Sequence, residues 1–397
     1  MKGKSFRAHY NRKSRIASSV FFFIFGFGYA AWAARIPTLR QDFHLSDSML
    51  GSLLFAMPVG LLCTLPLTNY LLGRYTSRSI MLFGSLASNA VLFAAGFADS
   101  IWQLFILLFC FGSSRNLFNL SMNANAVGVQ KLFTKSIITS FHAVWSVAGF
   151  AGAALSYAFT SCGVGIRWHF AMVSVAMSIL TIYYSQYILY ERPKKNVKTT
   201  LFKMPERPLL RYAFIVFICM ACENTMYDWS GVYFQKTMHA SQSMATAAFS
   251  VYMIAMTTGR FFGDRLVNKI GASLTLYYCA ITLTTGFALA VLFPNPAMVF
   301  LGFLLCGFGV SCVSPLVFTL AGRSVNLGNA TALASISTLS YMGFLMVPPL
   351  IGFISEGAGI RVAFAVIGAL AAVMIGLVSG IRRNDKKMES HVEEALL

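Results

Sequence analysis

Long apolar stretches separated by short polar segments run through the chain from residue 16 onward. A helix of roughly 20 apolar residues crosses a bilayer core about 30 Å thick, and most of these stretches have that length. The pattern therefore predicts an all-α membrane protein with twelve transmembrane helices. We expect these spans at residues 16–34, 50–72, 80–98, 101–120, 137–159, 168–190, 212–235, 245–262, 274–293, 298–320, 330–354 and 362–381.

The longest polar segment, residues 191–211, divides the predicted spans into six and six. The other connections are too short to hold a soluble catalytic domain. We expect an N-terminal six-helix bundle at 1–190, a basic cytoplasmic linker at 191–211, and a C-terminal six-helix bundle with a short cytoplasmic tail at 212–397. Two such halves related by an axis along the membrane normal form a recurring membrane architecture. A single twelve-helix bundle without internal symmetry fits these loop lengths less well.

Composition and charge agree with a membrane protein. Charged residues make up 11% of the chain, against about 25% in soluble domains, which excludes a soluble enzyme, a disordered regulator and a secreted disulfide scaffold. The net charge is +18, and 25 of the 31 basic residues fall in segments on the N-terminal side of the predicted membrane, against 5 on the other. The positive-inside rule then places both termini in the cytoplasm. This asymmetry explains the basic charge without a nucleic-acid partner.

Two loops at equivalent places in the two halves share a pattern. Residues 69–78 read NYLLGRYTSR and residues 264–271 read DRLVNKIG. Both resemble degenerate copies of the loop signature of the major facilitator superfamily, Gly-x-Leu-x-Asp-Arg-x-Gly-Arg-Arg. In that family the loop charges contact a neighbouring helix end and help hold one conformation, although Gly73 and Asn268 replace the acidic residue here. The resemblance implies a conformational latch, with the candidates Arg74, Arg78, Arg260, Asp264 and Lys269.

Several further stretches resemble the YbjJ-type branch of this superfamily, near the fucose-permease-like transporters. They are Trp32-Ala33-x-Arg35-x-Pro37, His142, Glu223 with Asp228-Trp229, Gly259-Arg260-Phe261, and Tyr341 with Pro348-Pro349-Leu350-x-Gly352. One departure is Val347, where a glycine often precedes the proline pair. The resemblance implies a secondary transporter of a bacterial inner membrane that functions as a monomer, and it leaves the substrate open.

Ionisable residues inside the predicted spans are functional candidates because a charge in the bilayer is costly unless paired or hydrated. Glu223 falls near the middle of the seventh span, where a carboxyl can load and release a proton as water access alternates. The alternative is a structural ion pair or a hydrogen bond between helices. Asp228 lies five residues on, roughly 140° around the helix. It is either a second proton-coupling residue or a hydrated carboxylate that caps a neighbouring helix.

Arg115 begins a polar stripe in the fourth span, because Asn119 and Asn123 follow at one-turn spacing and Asn116 flanks them. In a facilitator fold this span borders the central cavity, so we expect the stripe to bind substrate. The planar guanidinium suits a carboxylate, either that of Glu223 across the cavity or an anionic group on the solute. The alternative is that the asparagines crosslink helices.

His142 lies near the cytoplasmic end of the fifth span and can change charge near physiological pH. We treat it as a third proton-coupling candidate, with a single structural hydrogen bond as the alternative. Further aromatic and polar substrate contacts are expected from Tyr29, Trp32, Trp145, Asn224, Tyr227 and Tyr341.

The chain contains no H-E-x-x-H, G-x-S-x-G or P-loop motif, so an enzyme or an ATP-driven pump is not expected. We expect no cofactor and no metal. The predicted function is secondary active transport of a small polar or amphipathic organic solute by alternating access, coupled to protons, at one site between the halves. Efflux of amphipathic drugs or metabolites is the alternative within transport. A membrane-embedded sensor or enzyme without transport is the alternative from another class.

Overall fold

A computed structural model describes residues 2–134, 137–190, 207–324 and 329–396. These residues form fourteen α-helices, and no strand is present among them. The helices are α1 (Lys2–Ala33), α2 (Ile36–Asp42), α3 (Asp47–Arg74), α4 (Ser77–Ala95), α5 (Ile101–Gln130), α6 (Ile138–Ser161), α7 (Ile166–Ser185), α8 (Arg207–Met238), α9 (Gln242–Ile270), α10 (Ala272–Leu292), α11 (Pro296–Ser311), α12 (Val313–Ser324), α13 (Asn329–Ala358) and α14 (Ile360–Leu396).

The helices confirm the all-α membrane architecture. Eleven segments among the described residues are long and apolar enough to cross a membrane, and α9 accounts for the remaining predicted span. Two details differ from the sequence pattern. The tenth predicted span is broken at Cys312 into α11 and α12, and the short helix α2 follows the first span with Pro37 in its first turn. Proline is compatible with that position because the first N–H groups of a helix have no intrahelical partner.

The chain forms two compact units. The first contains residues 1–201 together with 241–250, and the second contains 202–240 and 251–397. Most of the predicted linker, residues 191–206, lies outside the described residues. Its last residues are helical, because α8 already begins at Arg207. The exact boundaries of the two predicted bundles stay a prediction.

In the first unit α1 packs on α6, and α5 packs on both α3 and α4. The α3–α5 contact is unusually close. A Cβ atom on Gly60 would clash with the carbonyl oxygen of Phe109, and one on Gly112 would clash with that of Met57. Small residues let the backbones of membrane helices approach and gain van der Waals contact. This pair therefore sets the distance between α3 and α5, the helix that carries Arg115.

The second unit packs α8 against α13 and α14, and α10 against α11 and α14. Its core contains an aromatic cluster around Phe364. The Phe364 ring centroid lies 4.2 Å from that of Tyr233 and 6.2 Å from that of Phe303. The Tyr233 hydroxyl donates a 2.6 Å hydrogen bond to the carbonyl oxygen of Ala290. The cluster thus ties α8, which carries Glu223 and Asp228, to α10, α11 and α14.

Candidate functional site

Arg115 lies within α5 of the first unit and is 8% exposed. Its Nη1 and Nη2 atoms each donate a 3.2 Å hydrogen bond to the carbonyl oxygen of Phe25 on α1. The guanidinium carbon also lies 3.8, 4.8 and 5.4 Å from the ring centroids of Phe25, Tyr29 and Phe111. Cation–π contacts of this kind are strongest where water is excluded. Arg115 is therefore a positive charge held in a defined place between α1 and α5.

The three asparagines of α5 that were predicted to bind substrate have different surroundings. The Asn123 amide donates to the side-chain oxygen of Asn119, one turn earlier, at 2.8 Å, and both residues are half-buried. The buried Asn116 amide instead donates to the Thr68 hydroxyl on α3 at 3.0 Å. Asn116 thus links two helices, which is the structural alternative to substrate binding. The substrate-binding roles of all three stay predictions.

Tyr29 and Trp32 lie on successive turns of α1 but differ in burial. Trp32 is 1% exposed, and its ring lies 6.2 Å from that of Phe111 and 6.0 Å from that of Phe170. The core position of Trp32 favours packing over solute contact. Tyr29 is half-buried beside the Arg115 guanidinium, so it shares that residue's surroundings.

His142 and Trp145 lie one turn apart on α6. The His142 side chain is exposed, and its ring meets that of Phe22 edge-on at 5.2 Å. Trp145 is half-buried and close to α1, since a Cβ atom on Gly26 would touch its indole ring and its carbonyl oxygen. The exposure of His142 leaves its ring accessible to protons, but a role in coupling stays a prediction.

Glu223 meets a partner that the sequence pattern did not indicate. Its Oε1 atom lies 3.7 Å from an Nη atom of Arg260 on α9, within the second unit. The Glu223 side chain is 14% exposed and that of Arg260 is 26% exposed. Arg260 also donates from Nε to the carbonyl oxygen of Ser311 at 3.4 Å. Arg260 was expected to belong to the latch. The structure places it inside α9 against a proton-coupling candidate.

Asp228 is 7% exposed and follows Asn224 by one turn on the same face of α8. Helical spacing places the Asn224 side chain beside this carboxyl group. Within the described part of the chain, no lysine or arginine forms an ion pair with Asp228. Tyr227 is buried with its hydroxyl 3.9 Å from the Met256 sulfur, whereas Tyr341 is half-buried on α13. The structure therefore brings Asn224 and Asp228 together.

Three of the latch candidates lie in the first or last turn of a helix, next to the basic loops. Arg74 is in the last turn of α3, with its guanidinium carbon 4.7 Å from the Tyr70 ring centroid, and Arg78 is in the first turn of α4. Lys269 is in the last turn of α9. The side chain of Asp264 lies outside the described residues. A latch function for these residues stays a prediction.

Sequence reasoning missed a buried polar cluster at the end of α1. Arg35 follows the first predicted span directly, yet it is only 1% exposed. Its Nε donates to Nδ1 of His169 on α7 at 3.0 Å, and its Nη2 donates to the carbonyl oxygen of Val164 at 2.8 Å. His169 is 0% exposed, and its Nε2 lies 3.4 Å from the Ser156 hydroxyl on α6. The sequence signal was the Trp-Ala-x-Arg-x-Pro motif, which marks Arg35 but not its partner.

Comparison with known proteins identifies the family. The Major Facilitator Superfamily profile matches residues 16–338. The chain belongs to this superfamily. It is 30% identical to an uncharacterised MFS-type transporter of Yersinia pestis over 369 residues, covering 93% of this chain and 96% of the relative. It is 24% identical to the membrane protein MosC of Rhizobium meliloti, over 89% of this chain and 86% of that protein.

Solved structures show the same fold at low identity. The nucleoside transporter NupG superposes with a TM-score of 0.75 at 11% identity, covering 92% of this chain and 99% of that structure. A bacterial homologue of the lysosomal transporter Spinster superposes with a TM-score of 0.71 at 12% identity, covering 94% of this chain and 97% of that structure. The family match and the Yersinia relative show that this chain is a multi-pass membrane protein of a transporter family and not an enzyme.

Proposed function

We propose that this protein is a secondary active transporter that moves a small polar organic solute across the inner membrane by alternating access, coupled to protons through Glu223. Both termini lie in the cytoplasm in this proposal, and the chain works as a monomer. We also propose the assignment of the chain to the YbjJ-type branch. It rests on the short motifs, which carry no information about the substrate.

The pair of Glu223 with Arg260 is the observation that carries the coupling proposal. At 3.7 Å the two groups attract each other without a direct hydrogen bond, because hydrogen bonds between nitrogen and oxygen fall near 2.7–3.2 Å. Arg260 favours the ionised carboxyl, and partial burial opposes it. Protonation of Glu223 removes this attraction and leaves Arg260 with its other contacts, such as the Ser311 carbonyl oxygen. A carboxyl whose charge controls the position of a neighbouring arginine can connect proton binding to movement of α9.

The chemistry of the remaining candidates supports a polar, uncharged or zwitterionic solute. Arg115 offers a positive charge bordered by aromatic rings, which suits a carboxylate or a flat polar group. Asn119 and Asn123 offer amide donors and acceptors for hydroxyl or amide groups. Asp228 with Asn224 offers a buried negative charge for an amine. A sugar or an amino-acid-like compound fits these groups better than a metal ion.

The substrate class can be found by a thermal-stability screen of the detergent-purified protein. Sugars, amino acids, nucleosides, organic acids and cationic drugs would be tested at two pH values, because a ligand that binds the folded state raises its melting temperature. We expect a stabilising hit from the sugars or amino acids, and we expect Arg115→Ala to weaken it. A hit from cationic drugs alone would favour the efflux alternative. A hit that Arg115→Ala leaves unchanged would remove Arg115 from the site.

The coupling proposal is tested in proteoliposomes with the hit from that screen. Glu223→Gln keeps the size of the side chain but cannot ionise, so we expect it to exchange solute at equilibrium while losing accumulation driven by a pH gradient. Glu356→Gln, an exposed residue near the end of α13, is the matched control and should accumulate solute like the wild type. Accumulation by Glu223→Gln as steep as that of the wild type would disprove the role of Glu223.

A further inference from the structure

A proline lies just after the break between α11 and α12 in the second unit. The first helix ends at Ser311, and Pro315 is in the first turn of the next one. In a continuous helix the N–H of residue 315 would donate to the Ser311 carbonyl, four residues earlier, but proline has no N–H and its ring clashes with that carbonyl. The regular pattern resumes one residue later, where the Leu316 N–H donates to the Cys312 carbonyl oxygen at 3.1 Å. The Ser311 carbonyl therefore lacks its usual helical donor.

The break packs closely against α9. A Cβ atom on Gly259 would clash with the Ser311 side chain, and one on Gly263 would clash with that of Cys312. The Cys312 thiol also donates to the Gly259 carbonyl oxygen at 3.5 Å. Two glycines one turn apart let the backbone of α9 approach the break. Arg260, which follows the first of these glycines, is thereby brought beside the Ser311 carbonyl.

Arg260 uses the carbonyl that Pro315 leaves open. Its Nε donates to the Ser311 carbonyl oxygen at 3.4 Å, and its Nη2 lies 3.7 Å from Oε1 of Glu223. The second distance exceeds that of a direct hydrogen bond, which is near 2.7–3.2 Å. Because the guanidinium is a planar and rigid fork, a contact at Nε restricts where its Nη atoms can go. The Ser311 carbonyl therefore helps to hold Arg260 short of a direct hydrogen bond with Glu223.

We propose that Pro315 is a positioning residue for proton coupling: by leaving the Ser311 carbonyl to Arg260, it keeps Arg260 from closing fully on Glu223. An arginine in direct contact with a carboxyl favours its ionised form, so a closed pair would oppose protonation of Glu223. The looser pair leaves this carboxyl able to load and release a proton. The proposal rests on the proposed role of Glu223 in coupling, whereas the contacts at Ser311 do not.

Other titratable groups lie on α8 and on the helices around it, and the test must distinguish them from Glu223. On α8 these are Cys219, Cys222, Tyr227 and Asp228. The neighbouring helices contribute Tyr252 and Arg260 of α9, Cys306 and Cys312 at α11, and Tyr341 of α13. Glu356, Arg361 and Arg382 lie at the ends of the apolar segments of α13 and α14. Thiols and phenols are largely uncharged at neutral pH, so Asp228 is the carboxyl from which Glu223 must be separated.

The test is an infrared titration of the full-length purified protein, which follows the carbonyl stretch of protonated carboxyl groups as the pH is changed. Glu223→Gln and Asp228→Asn assign the two bands. Pro315→Ala restores an N–H for the Ser311 carbonyl, so Arg260 should close on Glu223, and the Glu223 band should appear at a pH lower by about one unit. An unchanged titration of Glu223, or a shift to higher pH, would overturn the proposal.

A matched proline separates this effect from the loss of a proline in general. Pro296→Ala changes an exposed proline in the first turn of α11, where an N–H group has no intrahelical partner. We expect the Glu223 titration to stay as in the wild type, and a shift as large as that of Pro315→Ala would contradict the proposal. Pro315→Leu restores the same N–H with another side chain and should reproduce the shift. A shift in only one of the two variants at residue 315 would assign the effect to the side chain instead.

A double variant shows whether Pro315 acts through Arg260. In the Arg260→Gln background, Pro315→Ala should no longer move the Glu223 titration, because the group that it repositions is gone. A full shift in that background would contradict the proposal.

The titration uses no solute, so it separates this proposal from the proposed function. An unshifted titration would disprove the role of Pro315 and leave the coupling role of Glu223 standing. A shifted titration, together with wild-type accumulation of solute by Glu223→Gln, would retain the control of Arg260 by Pro315 and disprove the coupling role of Glu223.

Discussion

Replacement of His169 by phenylalanine should destabilise the first unit measurably. Phenylalanine keeps a planar aromatic ring at this position, and the change removes the hydrogen-bond acceptor of the buried Arg35 Nε. Arg35 keeps its 2.8 Å bond to the Val164 carbonyl, and Ser156 keeps a 2.7 Å bond to the Gly152 carbonyl. The change therefore isolates one charge-assisted hydrogen bond in a fully buried place.

The expected magnitude follows from the burial of this bond. A hydrogen bond to a charged group contributes about 1.5–3 kcal/mol, and leaving a buried donor unsatisfied adds to the loss. For a unit of about 200 residues each kcal/mol corresponds to about 2–4 °C. We expect the melting temperature of His169→Phe to fall by about 5–10 °C, measured in detergent as the protein that stays monodisperse after heating.

Two companion variants make this prediction refutable. Trp168→Phe changes the neighbouring residue, which is 69% exposed, and should shift the melting temperature by less than about 2 °C. Arg35→Met in the His169→Phe background removes the unsatisfied charge and should recover part of the stability. A fall of less than about 2 °C in His169→Phe, or no recovery in the double variant, would refute the reasoning about Arg35.

Three other predictions follow from contacts within the units. Gly112→Leu should lower the melting temperature by about 10 °C or more, because its side chain would clash with the Met57 carbonyl oxygen. A near-wild-type melting temperature would show that α3 and α5 can move apart at little cost in stability. Asn125→Leu removes hydrogen bonds to α1 and α4 and should cost about 2 kcal/mol in reversible unfolding, an expectation that a change under about 0.5 kcal/mol would contradict. Arg260→Gln should abolish the pH dependence of solute affinity if Glu223 acts through this pair, and an unchanged pH profile in binding titrations would separate the two residues.

The positions of the spans could be predicted from the sequence because bilayer thickness imposes a length on each apolar stretch. Eleven of them recur as helices suited to a membrane, and α9 occupies the place of the twelfth. The break at Cys312 was not predictable in the same way. Hydropathy measures how apolar the side chains are. It does not show where the backbone departs from a helix within an apolar stretch.

The candidate residues were found from the sequence because polar groups are rare inside apolar spans. Arg115, Glu223 and Asp228 all proved to be buried or nearly so. Their partners could not be predicted. A helix projects side chains in every direction, and the neighbour of each depends on which faces of which helices meet. Packing placed the Arg260 side chain of α9 beside Glu223 and the Arg115 side chain of α5 against α1.

The sequence by itself determined the membrane class, the number of spans and the superfamily, because hydrophobic length, charge asymmetry and loop motifs are local properties of the chain. The tertiary structure decided which charges are neutralised and which helix ends are fixed. Arg35 shows the difference. As a sequence it is a basic residue in a short loop, whereas in the structure it is a buried cation whose acceptor, His169, lies 134 positions away. Such pairing depends on contacts between distant segments.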